Sequence, residues 1–247
     1  MSQAHSQSVA SGWGMPAEVY GPARVAAQRA LALAPDLIEG LVALGQVLAS
    51  GDLDWKGADA LFRKAIELAP GNATGLHSAS WLAAAFGRMD EALALARRIV
   101  ALDPLADKGH LRLARLLADS GACDEAEAAL ATAWQLNPAG NRQYAILGRI
   151  RLYQGRYAES LAAFEQESLD WERKSGIALA RARLGPAEAA DAALQDIVTH
   201  DAHVAAIQIA EIHAYRGDKD CAFHWLERAF DQHDHGVVLL RSYTTFR

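Results

Sequence analysis

The chain has 247 residues, 51% apolar and 22% charged, with a formal net charge of -6. Such a composition builds a core rather than a disordered solvating tail, and the acidic balance argues against nucleic acid as a direct partner, because phosphate binding rests on basic excess. The two cysteines, Cys123 and Cys221, form no C-x-x-C pair and no disulfide framework, so they say nothing about redox compartment.

Residues 1–16 are rich in Ser, Gln and Gly, with neither the basic flank nor the apolar run of a signal peptide. They read as a disordered tail. The first helix is expected over residues 17–34, ending at Pro35. The apolar run Leu37 to Ala49 is shorter than the roughly 18 residues a membrane span needs. With no leader or span in sight, a cytoplasmic location is expected.

From Pro35 onward the chain repeats. Pro35, Pro70, Pro104 and Pro138 are separated by 35, 34 and 34 residues. Each closes an alanine-rich helical stripe, as in FRKAIELAP, ARRIVALDP and LATAWQLNP, because proline cannot continue a helix. Asp36, Asn72, Asp107 and Asn141 follow as candidate N-caps of the next helix. A second register agrees: Gly87, Gly121 and Gly155 sit 34 apart, midway between prolines, where a helix terminator belongs. Each unit therefore reads helix, glycine turn, helix, proline. Apolar residues recur near every 3.6 positions and strands are essentially absent. Six helix pairs are expected, starting near Ile38, Ala73, Asp107, Asn141, Trp171 and His203.

These residues resemble the tetratricopeptide repeat. Leu147, Gly148, Tyr157, Ser160 and Phe164 fit one unit; Leu44, Gly45, Ala58, Phe62, Ala65 and Pro70 fit another. The resemblance implies an all-α, right-handed superhelical solenoid of antiparallel helix pairs over residues 17–247. The small residues let helices approach while a large residue opposite fills the gap. Past Pro138 the pattern loosens. The proline expected near Trp171 is missing, and Glu167 stands where a small residue is expected. Gly185, followed by Pro186 at a first helical position, and Gly217 arrive early. The charged run from Glu165 to Lys174 reads as a solvated face and, over 165–175, as a hinge. Segments such as DLDWKGADALFRKAIELAP are also similar to tetratricopeptide regions found C-terminal to output domains of bacterial regulators: winged-helix, nucleotide cyclase or kinase fusions.

No P-loop, G-x-G-x-x-G, H-E-x-x-H or nucleophile elbow occurs. The sequence thus points to a non-catalytic interaction scaffold without a cofactor, or alternatively to the sensory region of a larger signalling or transcription-regulating protein. In the family, the first helix of each pair lines the inner groove. Counting from the turns puts there Glu39, Val42, Gln46, Thr74, His77, Trp81, Lys108, Leu111, Arg112, Arg115, Arg142, Ala145, Arg149, Glu172, Leu179, Ile207 and Glu211. Lys108, Arg112, Arg115, Arg142 and Arg149 make its centre basic, with His77 and Trp81 as an aromatic ledge. Two readings stay open. The cluster either takes an acidic or carboxylate-terminated peptide, or it is neutralised by Asp119, Glu125 or Glu159 of its own chain. Asp231 to His235 reads as a solvated loop rather than a metal site, and His213 as a packed or hydrogen-bonded residue. The lone first helix is an uncapped end, so self-association is a further expectation.

Overall fold

The computed structural model describes residues 16–232, 234, 236–237, 240–241 and 244–246. All but the last residue of the expected N-terminal tail, and His233 and His235 of the histidine run, lie outside the described residues. Among the described residues there are thirteen α-helices and no strand: α1 (Pro16–Leu33), α2 (Ile38–Ser50), α3 (Trp55–Leu68), α4 (Ala73–Ala85), α5 (Met89–Leu102), α6 (Asp107–Ser120), α7 (Cys123–Leu136), α8 (Gln143–Tyr153), α9 (Tyr157–Glu165), α10 (Asp170–Leu184), α11 (Ala187–His200), α12 (Ala206–Arg216) and α13 (Lys219–Asp231), with a 3-10 turn at Thr244–Phe246. Each even-numbered helix packs on the odd-numbered one after it. The result is one lone helix and six pairs, as the proline and glycine registers predict.

The chain divides into two compact units. The first runs through Leu102 and includes the described residues among 235–241. The second runs from Asp103 to Asp234 and includes those among 242–247. In the second unit the first helices of successive pairs, α6, α8, α10 and α12, pack side by side.

The glycine turns work as the spacing requires. Gly87, Gly121, Gly155 and Gly217 all have positive φ, between 74° and 91°. A left-handed residue there lets its N–H turn back to the last helical carbonyls, as Gly121 does to Ala118 and Leu117. The small positions inside the helices have a different cause. A Cβ on Gly45 would lie 2.5 Å from the Phe62 ring, one on Gly148 2.8 Å from Phe164, and one on Gly176 2.0 Å from Phe164. Among the described residues, Phe62 and Phe164 are the two largest fully buried side chains, so each ring occupies the space that glycine leaves open. Ser160 Oγ then donates to the Gly148 carbonyl at 2.7 Å, tying α9 to α8.

Two sequence expectations are corrected. Of the four candidate N-caps, Asn72 caps its helix, accepting from the Gly75 N–H at 2.8 Å. Asp36 precedes Leu37, which takes the cap position without a side-chain bond. Asp107 is already inside α6, where Asn137 Nδ2 donates to it, and Arg142 rather than Asn141 stands at the cap of α8. The second correction concerns the charged run. Glu167 is buried, not solvated. Its carboxylate accepts from the Ala145 N–H at 2.9 Å and the Leu169 N–H at 3.0 Å. An acidic group therefore satisfies two amides where the regular repeat would place a small residue.

Candidate functional site

His77 and Trp81 lie on α4 in the first unit. His77 is exposed, while Trp81 is half-buried and packs on the cluster of Leu41, Phe62 and Leu82. The five basic residues belong to the second unit.

Lys108, in the first turn of α6, is exposed and forms no ion pair among the described residues. One turn on, Arg112 is half-buried with Nη2 hidden from solvent. Burial, with the charge of Arg115 beside it, pushes its guanidinium down to about 10, which leaves it protonated at neutral pH. Arg115 Nε donates to Asp119 Oδ2 at 2.9 Å, one helical turn away. Asp119 is buried and also accepts from the Tyr153 hydroxyl on α8, at 3.2 Å. Burial and this carboxylate together push the Tyr153 phenol above its ordinary value.

Arg142 is not a helical residue. It is a left-handed cap with φ 69°, immediately before α8. Its side chain is 49% exposed, with Nε 3.2 Å from Glu172 Oε1 and the guanidinium 5.8 Å from the Trp171 ring centroid. Burial raises the Glu172 carboxyl above the usual range. Arg142, Arg115 and Arg149 pull it back, and Glu167 adds to the rise.

Arg149 is the most buried of the five. Its Nη1 and Nη2 donate to Glu211 Oε1 and Oε2, at 2.8 and 3.1 Å. The two side chains are 10% and 2% exposed. The pair joins α8 to α12 across 62 residues of sequence. Such a parallel fork is the geometry in which a guanidinium and a carboxylate bind best.

The two open readings thus divide by residue. Asp119 does take Arg115, as one reading has it, but Glu172 and Glu211 take Arg142 and Arg149. Glu159 instead holds Arg156 and approaches Arg151. Glu172 and Glu211 were legible as inner-face positions, yet nothing in the sequence matches them to their arginines. Counting also puts Val42, Ala145, Leu179 and Ile207 on the groove, and all four are buried in the core.

The tetratricopeptide repeat family signature matches residues 83–150. No curated protein sequence gives a match. Among solved structures, the chain is similar to a tetratricopeptide repeat protein from Parabacteroides merdae ATCC 43184, at 17% identity and a TM-score of 0.67 over 97% of this chain and 96% of that one. The fold is a tetratricopeptide solenoid. It is also similar to TTC0263, a thermophilic protein of this fold in Thermus thermophilus (18% identity, TM-score 0.61, 78% of this chain and 100% of that one). The type IV pilus biogenesis factor PilW gives 16% identity and a TM-score of 0.56, covering 93% and 90%. At these identities the likeness concerns the fold alone. Proteins of this fold generally mediate protein–protein interaction and generally serve as scaffolds rather than catalysts. No described helix is long and apolar enough to cross a membrane.

Proposed function

We propose that the chain is a non-catalytic interaction scaffold that binds an acidic segment of a partner protein on the first-helix face of its second unit. The observation that carries this reading is the placement of Lys108 and Arg142. Both are exposed. They stand at the N-terminal ends of α6 and α8, two helices that pack on each other. Helix N-termini carry positive partial charge, so two cations and two helix ends converge on one rim. Asp107, the acid in that first turn, is engaged by Asn137. Arg115, Arg142 and Arg149 each face a carboxylate of their own chain, but Arg142 keeps half of its side chain exposed where Arg115 and Arg149 are more buried, so the rim rather than the interior sets the preference.

Fluorescence anisotropy with acidic peptides and their amide-neutralised counterparts tests this. The acidic peptides bind more tightly, and Lys108→Glu/Arg142→Glu weakens them at least about tenfold, close to 1.4 kcal/mol. Binding also falls with salt, as exposed charge requires. Equal binding of both peptide sets, or indifference to the double variant, removes the proposal. Self-association is a separate arm. Val25 and Leu33 on α1, and Phe223 and Phe230 on α13, are exposed apolar residues on the first and last helices. Sedimentation velocity across concentrations tests whether they join copies. The reading as part of a larger regulator rests on sequence resemblance.

A further inference from the structure

We propose that His213, Asp218 and Cys221 form a site for a borderline-soft divalent cation of the zinc class. This site lies in the last helix pair, outside the basic face. One nitrogen, one carboxylate oxygen and one sulfur lie within 4.8 Å of one another.

The backbone holds them there. His213 is in the last turn of α12, and Gly217 closes that helix in the left-handed region with φ 83°. The Asp218 N–H donates to the His213 carbonyl at 3.0 Å, fixing the first two ligands to each other. Asp218 then caps α13 with one oxygen: its Oδ1 accepts from the Cys221 N–H at 3.3 Å. Its other oxygen, Oδ2, faces His213 Nδ1 at 3.1 Å. The cap is thus the outer bond that orients a ligating carboxylate.

The separations suit a tetrahedral ion. Bonds of about 2.3 Å to sulfur and 2.0–2.2 Å to nitrogen and oxygen place ligand atoms roughly 3.3–3.8 Å apart. His213 Nδ1 and Asp218 Oδ2, at 3.1 Å, need to part by only a few tenths of an ångström to meet that spacing. Cys221 is exposed, and a small rotation of its side chain closes the remainder. The donors select the metal. Thiolate and imidazole favour zinc or cobalt over calcium or magnesium, which take oxygen ligands. On binding, the Cys221 S–H bond breaks, its proton passes to solvent and the thiolate electron pair goes to the metal. The site then holds a neutral imidazole, a carboxylate and a thiolate, whose two negative charges match a divalent cation. Three protein ligands on an exposed edge leave a fourth position for water or for a donor from a partner.

The test uses the whole reduced chain, freed of metal by a chelator and titrated with Co(II), with Zn(II) as competitor. The expected result is one equivalent of Co(II) with a thiolate-to-cobalt charge-transfer band that Zn(II) abolishes. Cys221→Ser removes the band, Cys123→Ser retains it, and His213→Gln weakens binding at least about tenfold. Cys221 is exposed, so its replacement leaves the fold intact, which circular dichroism checks. A Co(II) complex without the thiolate band, a band unchanged in Cys221→Ser, or no binding at all each overturns the site. Binding held by the 231–235 histidine run is one such outcome, because it survives Cys221→Ser.

Discussion

Replacing Glu211 with Gln is the sharpest probe of the second unit. It leaves the shape of the side chain but removes the carboxylate charge facing the Arg149 guanidinium, which is 10% exposed. The wild-type pair has two charge-assisted bonds, at 2.8 and 3.1 Å. Breaking a buried pair by removing one charge costs about 3–5 kcal/mol, because the remaining charge stays desolvated. For a chain of this size each kcal/mol lowers the melting midpoint by about 2–4 °C, so the single variant melts about 6–20 °C lower. Arg149→Met alone leaves Glu211 buried at 2% exposure and costs a similar amount. The double variant Arg149→Met/Glu211→Leu replaces the pair by apolar groups of like volume, and its net cost is close to zero. Urea unfolding followed by tryptophan fluorescence and by circular dichroism reads all four proteins, with both probes compared because repeat arrays can unfold in steps. Glu211→Leu, measured alongside, closes the cycle with that double variant, and the two single costs then exceed the double's by about 6 kcal/mol or more. A single variant costing under about 1 kcal/mol, the value of an exposed pair, or additive single costs, refutes the assignment of this pair as a buried cross-brace.

The other predictions are smaller. Gly176→Ala places a methyl 2.0 Å from the Phe164 ring and costs about 1–3 kcal/mol or more by overpacking; Phe164→Leu in the same chain recovers part of it, and no recovery in urea unfolding contradicts the packing. Glu167→Ala leaves the Ala145 and Leu169 amides without their acceptor and costs about 1–3 kcal/mol; hydrogen exchange at those two amides accelerates, and unchanged protection refutes the bonding. Two carboxylates respond to pH with opposite signs. Glu172 is raised by burial, so its favourable contribution is present below the unfolded value and lost as pH rises through the folded one; Glu172→Gln gains on wild type over that rise. Glu127 is lowered, first by its bond from Arg151, so its contribution is present above the unfolded value and lost as pH falls through the folded one; wild type loses its advantage over Glu127→Gln over that fall. Midpoints at several pH values check both signs.

The architecture was legible because it is local and repeated. A proline that cannot continue a helix and a glycine that can adopt positive φ act within a few residues of themselves, so spacing near 34 residues marks every boundary from Pro35 to Gly155. The glycine–phenylalanine fits at Gly45 with Phe62 and at Gly148 with Phe164 were visible for the same reason, since partners within one helix pair lie at a fixed offset. The N-caps were less so: four similar polar residues follow the prolines, but a shift of one or two positions decides whether a side chain reaches an amide, and only Asn72 does.

The charges on the inner face belong to the tertiary structure. Sequence placed Arg115, Arg142, Arg149, Glu172 and Glu211 on first helices, and no periodicity says which will meet. Arg149 finds Glu211 because α8, α10 and α12 pack in succession, and Arg142 stays on the rim because a left-handed cap turns it out of the helix. Coulomb attraction acts through space, with a strength set by burial that is decided only when every neighbour is in place. The helices and their pairing thus follow from local signals along the chain, whereas which arginines remain exposed follows from how those helices pack.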